Sequence, residues 1–212
     1  MIKLVIFDMD GTLLDSSSAM TYSVNYVRSI MGLEPIDKTY VECQLNQPDS
    51  DLPMLLYGTK EYTKEQQSLF RKHYLENLPA FIKPYDGAIE LLKYLKSKNI
   101  SLGIATNAPD FFAKHMIKVC KLEDFFSSIV GANNVEKTKP DPQMLKLLCD
   151  NFSVSIDESI FIGDSIKDEL AAKNANMEFI FADWGYGKSK SAKHKQSNFH
   201  ALHSYFLKDL FS

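Results

Sequence analysis

Cysteine is scarce: Cys43, Cys120 and Cys149 are the only three in 212 residues, and no two are close in the chain. A sparse, odd number excludes a disulfide framework and offers no zinc-ligand spacing. Reduced thiols filling small core positions are expected instead. Glycine (9) and proline (8) are too few for a collagen-like or low-complexity chain. No apolar run approaches the ~20 residues needed to cross a bilayer, so no membrane partner is expected. The N-terminal run in MIKLVIFDMDG is too short for a signal peptide and meets aspartates at once, so a cytoplasmic location is expected. A basic excess is also missing. Lys and Arg number 24 against 27 Asp and Glu, a net charge of −3, which disfavours nucleic acid as a partner. What remains is 45% hydrophobic and 24% charged, the composition of a folded domain rather than a disordered chain. The length allows one domain, or one with a smaller insert.

Short apolar runs that end in a polar residue set the rhythm of the chain. Leu4–Phe7 is followed by Asp8, residues 102–105 by Thr106 and Asn107, residues 160–163 by Asp164, and residues 179–182 by Asp183. Residues 128–131 form a weaker fifth run. Runs this short and rich in Val, Ile and Phe predict strands buried on both faces. Helical periodicity fills the intervals: Ile89, Leu92 and Leu95, then residues 109–121 behind Pro109, then Leu145, Leu148, Cys149 and Phe152, and finally Leu202, Tyr205, Phe206 and Leu210. Helices alternating with strands predict an α/β fold, a doubly wound parallel sheet covered on both faces.

One interval is too long for a crossover. Between Phe7 and Ser101 lie residues 16–82, helical in pattern around 17–31, 37–46 and 63–77 and punctuated by Pro35, Pro48, Pro53 and Pro79. They are expected to form a small inserted helical domain, leaving residues 1–15 and 83–212 as the α/β core.

The polar residues after the strands carry the chemistry. In open α/β sheets, ligands sit beyond the carboxyl ends of the strands. Asp8, Thr106 and Asp164 would share that rim, with Asp10 two residues on in a turn containing Gly11, and Asp168 one helical turn beyond Asp164. Four carboxylates in one pocket repel one another unless protonated or joined by a cation. Oxygen-only ligands suit Mg²⁺, the expected cofactor, better than zinc. Lys139, in KTKPDP, adds a cation, with Lys137 as competitor and Pro140 favouring Lys139. With Thr106 and backbone N–H groups, that lysine makes a cradle for a phosphoryl group. Asp8 is then a candidate nucleophile and Asp10 a candidate general acid.

At this point a resemblance enters. The string DMDGTLLDS at 8–16 resembles the first motif of the haloacid dehalogenase superfamily of phosphohydrolases. LGIATN resembles its second motif, KTKPDP its third and FIGDSIKD its fourth, in family order. ADWGYG at 182–187 resembles the phosphoglycolate phosphatase-like subgroup, and the insert resembles that superfamily's helical cap. The resemblance implies a Rossmann-like core, and a Mg²⁺-dependent phosphatase acting on a small phosphorylated metabolite, phosphoglycolate first, through a phospho-aspartate. It implies Asp8 as nucleophile and metal ligand, and Asp10 as acid/base with its backbone carbonyl on the metal. It also implies phosphoryl contacts from Gly11, Thr106 and the Asn107 backbone, charge neutralisation by Lys139, metal ligation by Asp164, and support from Asp168. A phosphosugar mutase is the alternative within the superfamily, disfavoured because no histidine precedes His73. A dehalogenase has no use for Asp10, and a non-catalytic phosphate-binding protein would need neither nucleophile nor acid.

Other features read more plainly. The basic stretch 188–196, with Lys188, Lys190, Lys193, His194 and Lys195, is expected to be a solvated surface loop rather than an anion guide. Tyr22, Tyr26, Tyr40, Tyr57 and Phe70 are expected mostly in the core of the insert, and His73 and His115 in packing or at the surface.

Overall fold

The computed structural model describes residues 1–47, 50–189 and 191–210. Pro48 and Lys190, named above, lie outside them. The chain opens with β1 (Leu4–Phe7) and a two-residue strand β2 (Leu14–Asp15), then runs through α1 (Ser17–Ile30), α2 (Lys38–Asn46), α3 (Leu52–Tyr57) and α4 (Lys64–Phe81). It returns through β3 (Lys83–Pro84) and continues as α5 (Ala88–Ser97), β4 (Ser101–Ala105), α6 (Asp110–Val119), β5 (Ser128–Val130), α7 (Gln143–Phe152) and β6 (Ser159–Gly163). The last elements are α8 (Ile166–Ala175), β7 (Glu178–Ala182), β8 (Lys195–Gln196) and α9 (Phe199–Tyr205).

Six strands make one parallel sheet in the order β5-β4-β1-β6-β7-β8. The first strand lies in the middle because its residues are the most completely buried: Leu4, Val5, Ile6 and Phe7 are all fully covered. The alternation of a strand splits them between two cores. Val5 and Phe7 face the layer of α5, α6 and α9 with Leu91, Leu95, Met116 and Leu202. Leu4 and Ile6 face that of α7 and α8 with Leu145, Leu148 and Ala172. The chain passes from β1 outward to β4 and β5, then crosses back to β6 on the other side. That reversal opens a crevice at the carboxyl ends of β4, β1 and β6. The register places Phe7 level with Ile104 and Ile162, so Asp8, the residue after Ala105 and the residue after Gly163 emerge together.

The insert departs from β2 and returns at β3, which pair antiparallel, Leu14 against Pro84 and Asp15 against Lys83. Its outer end has its own apolar cluster of Val24, Val27, Val41, Leu56 and Tyr57. Its inner end shares the core beneath it through Ala19, Tyr74, Leu78 and Ile82. Tyr74 stacks on Phe70 and meets Phe112 of α6 edge-on, at 5.5 Å between centroids. Of the aromatics expected inside the insert, Tyr57 is buried, whereas Tyr22, Tyr26 and Tyr40 are exposed.

Four local readings are corrected. Helix α3 was not expected. Asp51 caps it, with Pro53 in its first turn and Gly58 in the left-handed conformation closing it, leaving too few residues for a period to show. Helix α4 runs on to Phe81 with Pro79 inside it. Pro79 lacks the N–H that would bond Leu75 O, and the helix ends two residues later. In the basic stretch, Lys195 and Gln196 form β8 against Phe181 and Ala182, so that segment is partly sheet. The final helix also begins at Phe199, earlier than the apolar pattern from Leu202 implies, because Asn198 caps it through Ala201 N–H.

Ile162, fully buried in β6, carries a large share of this packing. Ile162→Ala should lower unfolding free energy by about 2–5 kcal/mol. Met54→Ala, at a residue 45% exposed, should stay within about 0.5 kcal/mol. Urea denaturation of both variants measures the contrast.

Candidate active site

Asp8 leaves β1 with its backbone N–H still donating to Ile162 O at 2.8 Å, so the strand end holds it. Its Oδ1 accepts from Lys139 Nζ at 2.6 Å. The same ammonium donates to Asp168 Oδ1 at 2.6 Å and to Ala105 O at 2.9 Å. All three side chains are buried; Lys139 is 4% exposed. Lys137, by contrast, is exposed.

Lys139 reaches the centre because its backbone is clamped. Its N–H donates to Asn107 Oδ1 at 3.0 Å and its carbonyl accepts from Asn107 Nδ2 at 2.9 Å. The Asn107 side chain therefore joins the turn after β4 to the loop before α7. Thr106 is buried beside it, with its Oγ1 accepting from Ala108 N–H at 3.1 Å. The Lys139–Pro140 bond is cis.

Asp168 performs two tasks. Its Oδ2 accepts from Ser165 N–H at 3.0 Å and Ser165 Oγ at 2.6 Å, closing a capping box on α8, while its Oδ1 holds Lys139. One carboxylate thus caps the helix and holds the lysine at once. Asp164 is fully buried. Its Oδ1 accepts from Thr12 Oγ1 at 3.1 Å, and its Oδ2 from Tyr186 N–H at 2.7 Å and Gly187 N–H at 3.2 Å. Gly11 lies against it with φ +83°; a Cβ there would fall 2.5 Å from Asp164 Oδ2, so the turn admits only glycine. Asp10 accepts a short hydrogen bond from Ser16 Oγ through Oδ1.

One oxygen from each of Asp8, Asp164 and Asp168 lies within 4.8 Å of the others. One ammonium faces three carboxylates, with Asp10 beside them. Burial, then the charges of Asp168 and Asp164, push the Asp8 carboxyl well above its usual range despite Lys139. Burial and the charge of Asp168 raise Asp164 to about 7, against the pull of the Tyr186 and Gly187 N–H groups and Thr12. Burial raises Asp10, opposed by Ser16 and Lys139. Burial also works against the charge on Lys139, but Asp168 and Asp8 overcome it and hold the ammonium protonated. This excess of buried negative charge, built only of hard oxygen donors, fits a small divalent cation.

The eight residues expected at the site converge on this rim. Four further participants were not anticipated: Thr12 and Tyr186 on Asp164, Ser165 on Asp168, and Ser16 on Asp10. Thr12 and Ser16 stand inside the string DMDGTLLDS, and Tyr186 between two glycines, a pattern that marks close backbone approach. Outside the rim, His73 packs in the insert, with Nδ1 3.0 Å from Ser23 Oγ and its ring stacked on Tyr26 at 4.0 Å.

Comparison with known proteins places this geometry. The phosphoglycolate phosphatase of Rhodospirillum rubrum is 30% identical over 200 residues, covering 90% of this chain and 83% of that protein. The N-acetylmuramic acid 6-phosphate phosphatase of Pseudomonas aeruginosa is 28% identical over 188 residues, covering 87% and 83%. Among solved structures, CbbY from Rhodobacter sphaeroides in complex with phosphate superposes with a TM-score of 0.82 at 19% identity, over 95% of this chain and 96% of that one. At that identity the likeness speaks for the fold. The description "Haloacid dehalogenase-like hydrolase" matches residues 5–182, most of the chain, and the chain belongs to that family.

Proposed function

We propose that the chain is a metal-dependent phosphoric monoester hydrolase acting on a small phosphorylated metabolite through a phospho-aspartate on Asp8. The observation that carries this reading is the buried Asp8–Lys139–Asp168 chain beside Asp164, at the crevice where the strand order reverses. The phosphatase relatives agree with it.

Lys139 engages Asp8 Oδ1, leaving Oδ2 to attack phosphorus in line. As the phosphorus–oxygen ester bond breaks, Asp10 gives its proton to the departing oxygen. Burial, the largest influence on Asp10, raises its pKa and so favours the protonated form this step needs. Asp10 then takes a proton from the water that attacks the acyl phosphate, releasing phosphate and restoring the Asp8 carboxylate. Lys139 neutralises charge shared by Asp8 and the phosphoryl oxygens, and the Thr106 hydroxyl and the N–H groups around Gly11 and Asn107 hold those oxygens. Asp8, Asp164 and the Asp10 carbonyl would bind Mg²⁺, which supplies charge neutralisation at the phosphoryl group when bound. Asp168 positions Lys139. Residues 16–82 act as a cap over residues 1–15 and 83–212, excluding water and supplying substrate contacts.

Phosphoglycolate is the first substrate proposed, from the Rhodospirillum rubrum relative; the Pseudomonas aeruginosa relative makes a sugar phosphate the competitor. No helix among the described residues is long and apolar enough to cross a membrane. A cytoplasmic location agrees with the three free thiols.

Asp8→Asn should lower p-nitrophenyl phosphate hydrolysis by roughly 10⁴-fold or more, the scale for loss of a nucleophile, with an unchanged circular dichroism spectrum. Near-normal turnover would remove Asp8 from that role. In a panel of phosphoglycolate, sugar phosphates and nucleoside monophosphates, phosphoglycolate should give the highest kcat/KM. EDTA should abolish turnover and added Mg²⁺ restore it. Because Asp8 and Asp164 titrate higher in the folded chain than unfolded, the metal-free protein binds more protons folded and loses stability as pH rises above about 4, the Asp164 share being lost by about 7. Mg²⁺ should therefore raise Tm more at pH 8 than at pH 5; an equal rise at both would contradict a cation seated on these carboxylates.

A further inference from the structure

Helix α1, the first of the insert, lacks the usual side-chain cap. Ser16 occupies its N-cap position, but the Ser16 hydroxyl is turned away to Asp10. The N–H groups of Ser16 and Ser17 are instead received by the Tyr186 hydroxyl, at 2.8 and 3.0 Å, from a residue 170 positions along the chain. That hydroxyl also donates to Asp15 Oδ1 at 3.3 Å, in β2. Tyr85, just past the returning strand β3, lies beside the Tyr186 side chain. One phenol therefore holds the outgoing connection of the insert, and the returning one is tied to it where Tyr85 N–H donates to Leu13 O at 3.1 Å.

The other end of the same residue touches the carboxylate cluster. Tyr186 N–H donates to Asp164 Oδ2 at 2.7 Å, and the neighbouring Gly187 N–H donates to the same oxygen. The flanking glycines permit the approach: a Cβ at Gly185 would lie 2.3 Å from Asp164 Cβ, and one at Gly187 2.0 Å from Asp164 O. The ring passes beside Gly11, where a Cβ would fall 2.8 Å from Tyr186 Cδ2. The segment is held from the other side by Trp184, whose Nε1 donates to Thr12 O at 2.9 Å.

We propose that Tyr186 is a positioning residue that couples the seat of Asp164 to the hinge of the helical insert, its main chain fixing the carboxylate and its hydroxyl fixing the first turn of α1. Any shift of Asp164 on binding a cation is passed through a short, rigid residue to the Ser16–Ser17 peptides. Ser16 lies between the two acids, its main chain on Tyr186 and its side chain on Asp10, so the hinge is read by both.

The proposal rests on Asp164 being a metal ligand, and its test needs no turnover. Tyr186→Phe keeps the ring and the N–H on Asp164 and deletes the hydroxyl that accepts from Ser16 and Ser17 N–H and donates to Asp15. Amide hydrogen exchange of the full chain, with and without Mg²⁺ alone, reads the hinge in peptides covering 13–20 and 82–88. In the wild-type chain Mg²⁺ should slow exchange there. In Tyr186→Phe exchange of 13–20 should rise about tenfold, the effect of losing hydrogen bonds worth about 1.4 kcal/mol in all, and Mg²⁺ should no longer slow it. Calorimetry should show Mg²⁺ affinity unchanged. Persistence of the Mg²⁺ effect in the variant would overturn the proposal, as would a rise spread equally over β1, β4 and β6, which would mean general loosening. A wild-type chain that binds Mg²⁺ and hydrolyses p-nitrophenyl phosphate but shows no change at 13–20 would sink the coupling alone. Failure to bind Mg²⁺ would remove the metal reading and the coupling with it.

Discussion

A single buried ammonium organises this molecule. Lys139 lies out of water among Asp8, Asp168 and the carbonyl of Ala105. Desolvating a charge is costly, and only close, fully hydrogen-bonded partners offset it. The fold supplies those partners from three separate stretches: the end of β1, the end of β4 and the first turn of α8. The lysine itself comes from a fourth, the loop before α7, clamped by Asn107. Assembly of the sheet in its observed order is what brings them together, so the centre is a product of the topology and not of any one segment.

The same crowding makes the pocket incomplete in an electrostatic sense. Asp8 and Asp164 both resist ionisation, chiefly through burial. The protein tolerates this because N–H groups of Tyr186 and Gly187 and the hydroxyl of Thr12 surround Asp164. Those donors keep the carboxylate oriented without neutralising it. The pocket is in this way held open to positive charge, at the expense of stability near neutral pH.

Much of the fold was readable from residue patterns, for a physical reason. Strands buried on both faces must be apolar throughout, so Leu4–Phe7 and residues 160–163 stand out even though they are short. The acids that follow them stand out because a charge directly behind a buried strand needs a purpose. The lysine was separable from Lys137 only through its proline neighbour; in the fold Lys139 is buried and Lys137 exposed. Elements held by main-chain bonds alone stayed hidden. Strand β8 contains Lys195 and Gln196, whose side chains say nothing of the sheet. The pair β2–β3 rests on two residues a side. Helix α3 is shorter than two turns. The roles of Ser16 and Tyr186 were hidden for another reason: their contact spans most of the chain, and a serine before a helix reads as an ordinary cap.

The antiparallel pairing of Leu14 with Pro84 and Asp15 with Lys83 brings the two ends of the helical insert side by side. Whatever lies between them is therefore topologically a loop, closed at its base before it reaches the acidic rim. Segments attached in this manner can be lengthened, shortened or exchanged without altering strand order, because the sheet never threads through them. The acidic rim and the helical insert thus belong to parts of the polypeptide free to diverge at different rates.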